Sequence, residues 1–379
     1  MKICHLTSAH PRHDTRIFAK QARSLILDGN LVSLIVADGK GDCNKHSISI
    51  IDVGTAHGNR IGRMTKSVFG VYLAALKVNA EIYHFHDPEL IPAGLLLKLH
   101  GKTVIYDVHE NYPNAILSRP YLTRALRRVI STSFEQLEKF SARVFDAVVP
   151  ATPAIAKRFK SLNKNTVIIQ NFPVAAEFSV ASRIPWSERD DAVTYVGVIS
   201  GVRGGKDMVN AMDETLKSGL QGQLVLAGSF SPQSFESDLK ALPGWGHVDY
   251  KGYVNRDEMA GILGRVKAGL VLFHPEPNHV NAQPNKLFEY MSAGLPVIAS
   301  DFPLWRDIVT GCNAGILVNP TEPSDIAEAI AFLCQNAGMA EKMGNNGKKA
   351  VNEKYNWDVE KLKLFELYNR ILKKTRRKK

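Results

Sequence analysis

Several features that would betray a chemistry at once are missing from this 379-residue chain. It has four cysteines, Cys4, Cys43, Cys312 and Cys334, lying far apart with no Cys-x-x-Cys and no pairing with histidine at zinc spacing, so they read as reduced core or surface thiols. No apolar run approaches the roughly 20 residues of a membrane-crossing helix; the longest extends from Leu90 to Leu97. The start, MKICHLTSAHPRHD, lacks the apolar stretch of a secretory signal, and the chain reads as cytoplasmic. Neither a Walker loop ending in Gly-Lys-Ser/Thr nor a Gly-x-Gly-x-x-Gly turn occurs. No Asp-x-Asp is present, so a paired-carboxylate clamp on a metal is not expected.

What is present is the composition of a globular protein, 45% hydrophobic and 22% charged, long enough for two domains at about 150 residues each. The net charge of +11 is uneven, because Lys373, Lys374, Arg376, Arg377, Lys378 and Lys379 crowd the end. Such a tail is either solvated and frayed or docked on anionic lipid. Basic residues are not interleaved with aromatics, which argues against nucleic-acid binding.

Short β-branched and aliphatic runs alternate with helical stretches, the pattern of parallel sheets covered by helices. In the first half the predicted strands are KICHLTS, LVSLIVAD, ISIIDVG, EIYHFHD, KTVIYDVHE, DAVVPAT and TVIIQNFP. The alternation resumes with AVTYVGVIS, QLVLAG, VDYKG, KAGLVLFHP, LPVIAS and AGILVNP. The expectation is α/β, with two doubly wound, Rossmann-like domains facing across a cleft. The boundaries read as an N-terminal domain over 1–173, a linker over 174–190, a C-terminal domain over 191–356, and an amphipathic helix with its basic tail over 357–379. A further amphipathic stretch, Tyr121–Ile130, sets Leu122, Leu126, Val129 and Ile130 near one side and Arg124, Arg127 and Arg128 toward the other. It either packs on its own domain or lies on a membrane.

The densest chemistry lies in Pro284-Asn-Lys-Leu-Phe-Glu289 and the segment after it. Proline at the head of a helix leaves free N–H groups for an anion. Lys286 and Glu289, three apart, share a face, where they are an ordinary ion pair or a cation for phosphate beside a carboxylate for ribose hydroxyls. Upstream, VTYVGVIS runs into Gly201-Val-Arg-Gly-Gly-Lys206, either a plain tight turn or a loop in which Arg203 grips a diphosphate. In the first half three strand ends carry polar loops, Ser8-Ala-His-Pro-Arg-His-Asp-Thr-Arg16, Tyr83-His-Phe-His-Asp-Pro-Glu89 and Tyr106-Asp-Val-His-Glu110. Asp14 suits a helix N-cap. His84 and His86 alternate onto one strand face, either as metal ligands, for which spacing places no third, or as core, hydrogen-bonded histidines.

Taken together these segments resemble the family 4 glycosyltransferases of the GT-B fold, among them the bacterial enzymes of surface polysaccharides. FEYMSAGLPVIAS matches the second half of the family's C-terminal signature, with Glu289 at the second acidic position and Asn281 where the first would stand. The Pro-x-Lys-aliphatic-x-Glu helix matches a branch of the family in which lysine supplies charge to the diphosphate. The resemblance implies a donor site built from Gly197, Arg203, Lys206, Asn285, Lys286, Leu287 and Glu289, with His109 and Asn281 next to the transferred sugar. It implies an acceptor side formed by His10, His13, Asp14, Arg16 and Glu110.

The implied reaction is glycosyl transfer with retention from a nucleotide sugar, UDP-linked or GDP-linked, to a saccharide or lipid-linked saccharide. It implies no metal and no cofactor, the nucleotide sugar being a substrate, and a protein that is cytoplasmic or peripheral on an anionic membrane surface. Two rivals stand beside it: another nucleotide-sugar enzyme of the same fold, such as an epimerase, and a non-catalytic nucleotide-sugar-binding module.

Overall fold

The structure is a computed structural model. It describes the backbone of residues 1–55, 60–117, 119, 122–178, 181, 184–217, 219–220 and 222–376, and their side chains except those of 60–64 and 375–376. Tyr121 and the tail residues Arg377, Lys378 and Lys379 lie outside the described residues. The chain divides into two units, one of residues 1–171 with 357–379 and one of residues 172–356.

The N-terminal unit holds a seven-stranded sheet. Its strands are β1 (Lys2–Leu6), β2 (Leu31–Val36), β3 (Cys43–Lys45), β4 (Ile48–Asp52), β5 (Ile82–Phe85), β6 (Thr103–Val108) and β7 (Ala147–Pro150), in the order β3-β4-β2-β1-β5-β6-β7. All pairings are parallel except the β3–β4 ladder. Strands β5, β6 and β7 are buried along their whole length, as expected of near-continuous apolar runs covered on both faces. The register sets His5 opposite His84 and Phe85 opposite Tyr106, so the next residues, His86 and Asp107, come side by side.

TVIIQNFP does not become the eighth strand. It gives two backbone N–H groups, of Val167 and Ile169, to β7 carbonyls, and then its polar groups turn to side chains. Arg16 donates to the Ile169 carbonyl and the Gln170 N–H donates to Glu360.

The second unit holds six parallel strands, β8 (Ala192–Val196), β9 (Gln223–Ala227), β10 (Val248–Tyr250), β11 (Ala268–Val271), β12 (Val297–Ser300) and β13 (Gly315–Val318), in the order β10-β9-β8-β11-β12-β13. Order reverses beside β8, whose neighbours are β9 and β11. The C-terminal ends flanking such a reversal form the crevice where ligands of open α/β sheets bind.

Two segments fall elsewhere than their sequence suggests. Residues 174–190, read as a linker, belong to the second unit, with Phe178 and Ala181 buried in its core. The helix Trp357–Arg376 belongs to the first unit, where the Trp357 indole N–H donates to Ser24 Oγ and Tyr368 is fully buried. Burying Tyr368, Leu364, Leu367 and Ile371 explains the apolar spacing of this helix.

Candidate functional site

In the second unit three of the expected donor residues, Gly197, Arg203 and Lys286, come together at the end of β8. After Val196 the chain turns at Gly197 (φ 134°), a conformation that disfavours any residue with a Cβ. The glycine has a steric reason too, since a Cβ there would collide with Lys286 Nζ. Lys286 rises from the second position of the helix Asn285–Ser292, and its ammonium lies 5.1 Å from the centre of the Tyr195 ring. Burial first, then the nearby Arg203 charge, lowers the Lys286 pKa to about 8 from 10.5, against an opposing pull from Glu289. Arg203 ends the short 3-10 turn Gly201–Arg203 and stacks at 5.5 Å on Phe273, which follows β11. Two cations thus lie close together beside Gly197, one of them partly desolvated.

Glu289, one helical turn beyond Lys286, is buried and does not form an exposed pair with it. It accepts from Arg256 Nη1 at 2.8 Å, while Arg256 Nε donates to Glu177 at 2.6 Å. Sequence reading missed Arg256, which nothing in its helical neighbourhood marks. Leu287 is fully buried beneath the helix, and Asn285 is its first residue, with Pro284 at the N-cap rather than inside.

Lys206 is not part of the cluster around Lys286. Its ammonium is 3.5 Å from Asp238, and its side chain is half exposed. Asn281 is exposed at the C-cap of the short helix Pro277–Val280. Nearby, His274 Nε2 is 2.7 Å from Asp207 Oδ2, and the His274 N–H donates to the Val202 carbonyl, tying this loop to the Arg203 turn.

In the N-terminal unit three loops converge at the adjacent ends of β1, β5 and β6, and Asp107 is their hub. It accepts from Arg16 Nε at 3.1 Å, from Arg16 Nη2 at 2.7 Å and from Gln21 Nε2 at 2.7 Å. Burial pushes the Asp107 pKa up, but the Arg16 charge and the bonds from His109 and His86 outweigh it and hold the carboxyl well below its usual range. His86 Nδ1 is 3.3 Å from Asp107 and 3.3 Å from His109 Nε2, and His86 Nε2 is 2.9 Å from His5 Nδ1. His84 Nδ1 is 2.6 Å from the Tyr368 hydroxyl. Burial lowers the pKa of His5 and His86 well below 6.5 and that of His84 to about 4, so these rings are neutral at pH 7.

His109 is the member of this network that reaches solvent, with its side chain 21% exposed. Its ring centre is 5.0 Å from that of His10, whose Nε2 is 3.2 Å from Asp87 Oδ1. Asp87 also accepts from the Ser8 N–H at 2.6 Å and the Thr7 hydroxyl at 2.7 Å, fixing the loop after β1. Asp14 caps the next helix by accepting from the Arg16 and Ile17 N–H groups, both at 2.8 Å.

Arg16, expected on the acceptor side, is instead buried and spends its donors on Asp107 and Ile169. His13 is exposed and packs on Phe18, and Glu110 is exposed past β6. Asp107, His5 and Asp87 were not singled out from the sequence, although two of them stand inside quoted loops. The signal available was the alternation Asp107-x-His109, which puts both on one strand face.

For a metal, the third imidazole that spacing did not place is His5. His5, His84 and His86 offer ligand atoms within 4.8 Å of one another, as do His86, Asp107 and His109. In the first group His5 Nε2 and His84 Nε2 are buried without a hydrogen-bond partner, and a nitrogen donor set of that kind suits zinc or another first-row divalent ion. In the second, Asp107 is already committed to Arg16 and Gln21.

Residues 181–350 match the family model of glycosyl transferases group 1. An uncharacterized glycosyltransferase of Methanocaldococcus jannaschii is 30% identical over 167 residues, 44% of this chain and 41% of that protein. The capsular polysaccharide biosynthesis glycosyltransferase CapM of Staphylococcus aureus is 28% identical over 188 residues, 48% of this chain and 47% of its own. The chain thus matches less than half the length of these curated relatives. Among solved structures, the sucrose-phosphate synthase of Thermosynechococcus elongatus superposes with a TM-score of 0.75 at 18% identity, over 98% of this chain and 99% of that one. Anabaena HepE, solved with UDP and glucose, gives 0.72 at 16% identity over 97% and 99%. These likenesses give the chain the GT-B fold, two Rossmann-like domains with parallel sheets.

Proposed function

We propose that the chain, whose residues 181–350 match the model of glycosyl transferases group 1, transfers a sugar from a nucleotide sugar, UDP-linked, to a saccharide or lipid-linked saccharide acceptor in surface polysaccharide assembly. The observation that carries this reading is the position of Lys286 Nζ against Gly197, with Arg203 close enough to depress its pKa. Two cations close together beside Gly197 suit a diphosphate, and Glu289, held by Arg256, is an acceptor for ribose hydroxyls. The likeness to CapM supports the polysaccharide setting and the UDP in HepE supports the nucleotide.

In the proposed step the bond between the anomeric carbon and the diphosphate oxygen breaks, and the acceptor oxygen bonds to that carbon on the same face. The acceptor's proton passes to the departing phosphate. Negative charge grows on the diphosphate as the bond breaks, so Arg203 and Lys286 stabilise the transition state more than the ground state. These cations take the place of a metal clamp, and transfer is expected to persist in EDTA. His109, backed by Asp107, reaches solvent at the edge of the N-terminal network, and the family resemblance is what suggests it for contact with the sugar.

The test combines calorimetry with product analysis. Lys286→Ala and Glu289→Ala are each expected to weaken UDP binding at least tenfold, about 1.4 kcal/mol, and the unmodified protein to form a glycosylated product from a UDP-sugar. Unchanged affinity in both folded variants would sink the donor site. UDP binding without transfer to any saccharide acceptor would favour the binding-module reading, to which the exposed Asn281 at the first acidic position gives some support.

A further inference from the structure

Strands β1 and β5 lie at the centre of the N-terminal sheet, where apolar side chains are the rule. Each nonetheless carries a histidine, and the register that sets His5 opposite His84 puts both rings on one face. His86, two residues beyond His84, continues the alternation. None of the three rings reaches solvent, and their centres are 4.8 to 5.2 Å apart. The helix Trp357–Arg376 brings Tyr368, itself fully buried, against His84.

Among the described residues six buried side-chain nitrogens and oxygens lack a hydrogen-bond partner, and two of them, His5 Nε2 and His84 Nε2, belong to this trio. Polar atoms withdrawn from water are nearly always paired, so two unpaired nitrogens on neighbouring rings call for a ligand. An imidazole nitrogen without a proton donates an electron pair, and a set of three suits a divalent first-row metal. The three rings offer nitrogens within 4.8 Å of one another. A tetrahedral ion with bonds of about 2.1 Å needs them about 3.4 Å apart, so ring movements of about 1 Å close the set.

The surrounding atoms suit the same occupant. His84 Nδ1 is 2.6 Å from the Tyr368 hydroxyl and His86 Nδ1 is 3.3 Å from Asp107, the arrangement in which a ligating histidine gives its other N–H to an oxygen that fixes the ring. Asp107 Oδ2 is also 3.6 Å from His84 Nε2. The carboxylate thus supplies counter-charge beside the ion, while Arg16 and Gln21 hold it out of the ligand set. The contact that gives way is the 2.9 Å bond between His5 Nδ1 and His86 Nε2. With three protein ligands, the fourth position falls to a water.

We propose that His5, His84 and His86 form a buried zinc site that joins β1 to β5 and, through Tyr368, fastens the C-terminal helix to the sheet. The ion is structural. It takes no part in the donor chemistry proposed above, and with every ligand buried it is expected to stay in place through a transfer assay in EDTA.

The experiment is elemental analysis of the full chain, purified without a polyhistidine tag, with about one zinc expected per chain. X-ray absorption at the zinc edge should count three imidazoles, against two for the neighbouring group of His86, Asp107 and His109. After long dialysis against a chelator, added zinc should raise the melting midpoint through preferential binding to the folded chain. His5→Gln and His84→Gln should each retain about a tenth of the zinc or less, whereas His109→Gln and the exposed His13→Gln keep it. Tyr368→Phe removes only the oxygen facing His84 and should weaken zinc binding about tenfold or more at unchanged UDP affinity.

The absorption measurement on the unmodified chain decides the assignment even where a histidine variant does not fold. A chain without metal, whose melting midpoint zinc leaves unmoved, overturns the proposal and gives the two nitrogens to a buried water. Zinc that is lost in His109→Gln and kept in His5→Gln overturns it as well, in favour of the neighbouring group. UDP affinity measured on the same preparations reports on the donor site independently.

Discussion

On the proposed donor site, Lys286 should make nucleotide binding dependent on pH between 7 and 9. Its pKa in the ligand-free protein is about 8, lowered from 10.5 by burial and by Arg203. The cation is the form that binds a diphosphate, and the arriving negative charge raises the pKa again. Affinity is therefore flat below pH 7 and falls about tenfold per unit above 8, until the bound-state pKa is reached. Between pH 7 and pH 9 the expected loss is about tenfold, or about 1.4 kcal/mol.

The assay is calorimetric titration of UDP across that range in buffers of differing ionisation enthalpy. About half a proton should be taken up per UDP at pH 8. In Lys286→Ala the affinity should be low and nearly independent of pH. The stability linkage has the opposite sense. The folded pKa lies below the unfolded one, so between 8 and 10.5 the unfolded chain holds more protons and the ligand-free fold gains stability as pH rises. A UDP affinity that is constant from pH 7 to 9 in the unmodified protein, with no proton uptake, would refute the placement of this ammonium at the diphosphate.

Two further outcomes follow from the same geometry. Arg16→Ala leaves Asp107 charged and buried without its main partner, and denaturant unfolding should show a loss of about 3–5 kcal/mol; Arg16→Met combined with Asp107→Leu should restore much of it, and a single-variant cost below 1 kcal/mol would show the pair to be dispensable. Gly197→Ala sets a methyl group against Lys286 Nζ at a positive φ, so UDP binding should fall at least as far as in Lys286→Ala, and retained affinity would mean that the ammonium has room to move.

The sheets were legible because a parallel strand covered on both faces leaves an uninterrupted apolar run, as in Val104–Tyr106 or Val297–Ala299. The exceptions have identifiable causes. TVIIQNFP reads as a strand from composition, but Arg16 and Glu360, distant in sequence, take its backbone groups. Residues 174–190 show no periodicity, and among those described Phe178 and Ala181 join the core of the second unit as single side chains. The helix Arg124–Val144 shows a clear period, but periodicity alone does not say which stripe goes inside. Buried Ser131, Glu138 and Ser141 reverse the usual choice.

For the site, what the sequence disclosed was the part that lies on single elements. Lys286 and Glu289 sit on one helix, and Gly197 and Arg203 on one turn, so spacing was enough to bring each pair together. The missing parts come from pairings between elements: Arg256 reaching Glu289 from another helix, and Arg16 reaching Asp107 across 91 residues. Both are arginines whose fork meets a carboxylate, a geometry in which one residue fixes the orientation of another. The consequence is a division of labour. On the proposed donor site, Lys286 and Arg203 remain to meet a ligand because Glu289, the carboxylate one helical turn from Lys286, is already satisfied by Arg256. Had Glu289 paired with Lys286 directly, as the shared helix face allowed, the ammonium would have been neutralised in place and its pKa held up rather than down to about 8. The depressed lysine and the arginine that holds Glu289 are thus two sides of one arrangement.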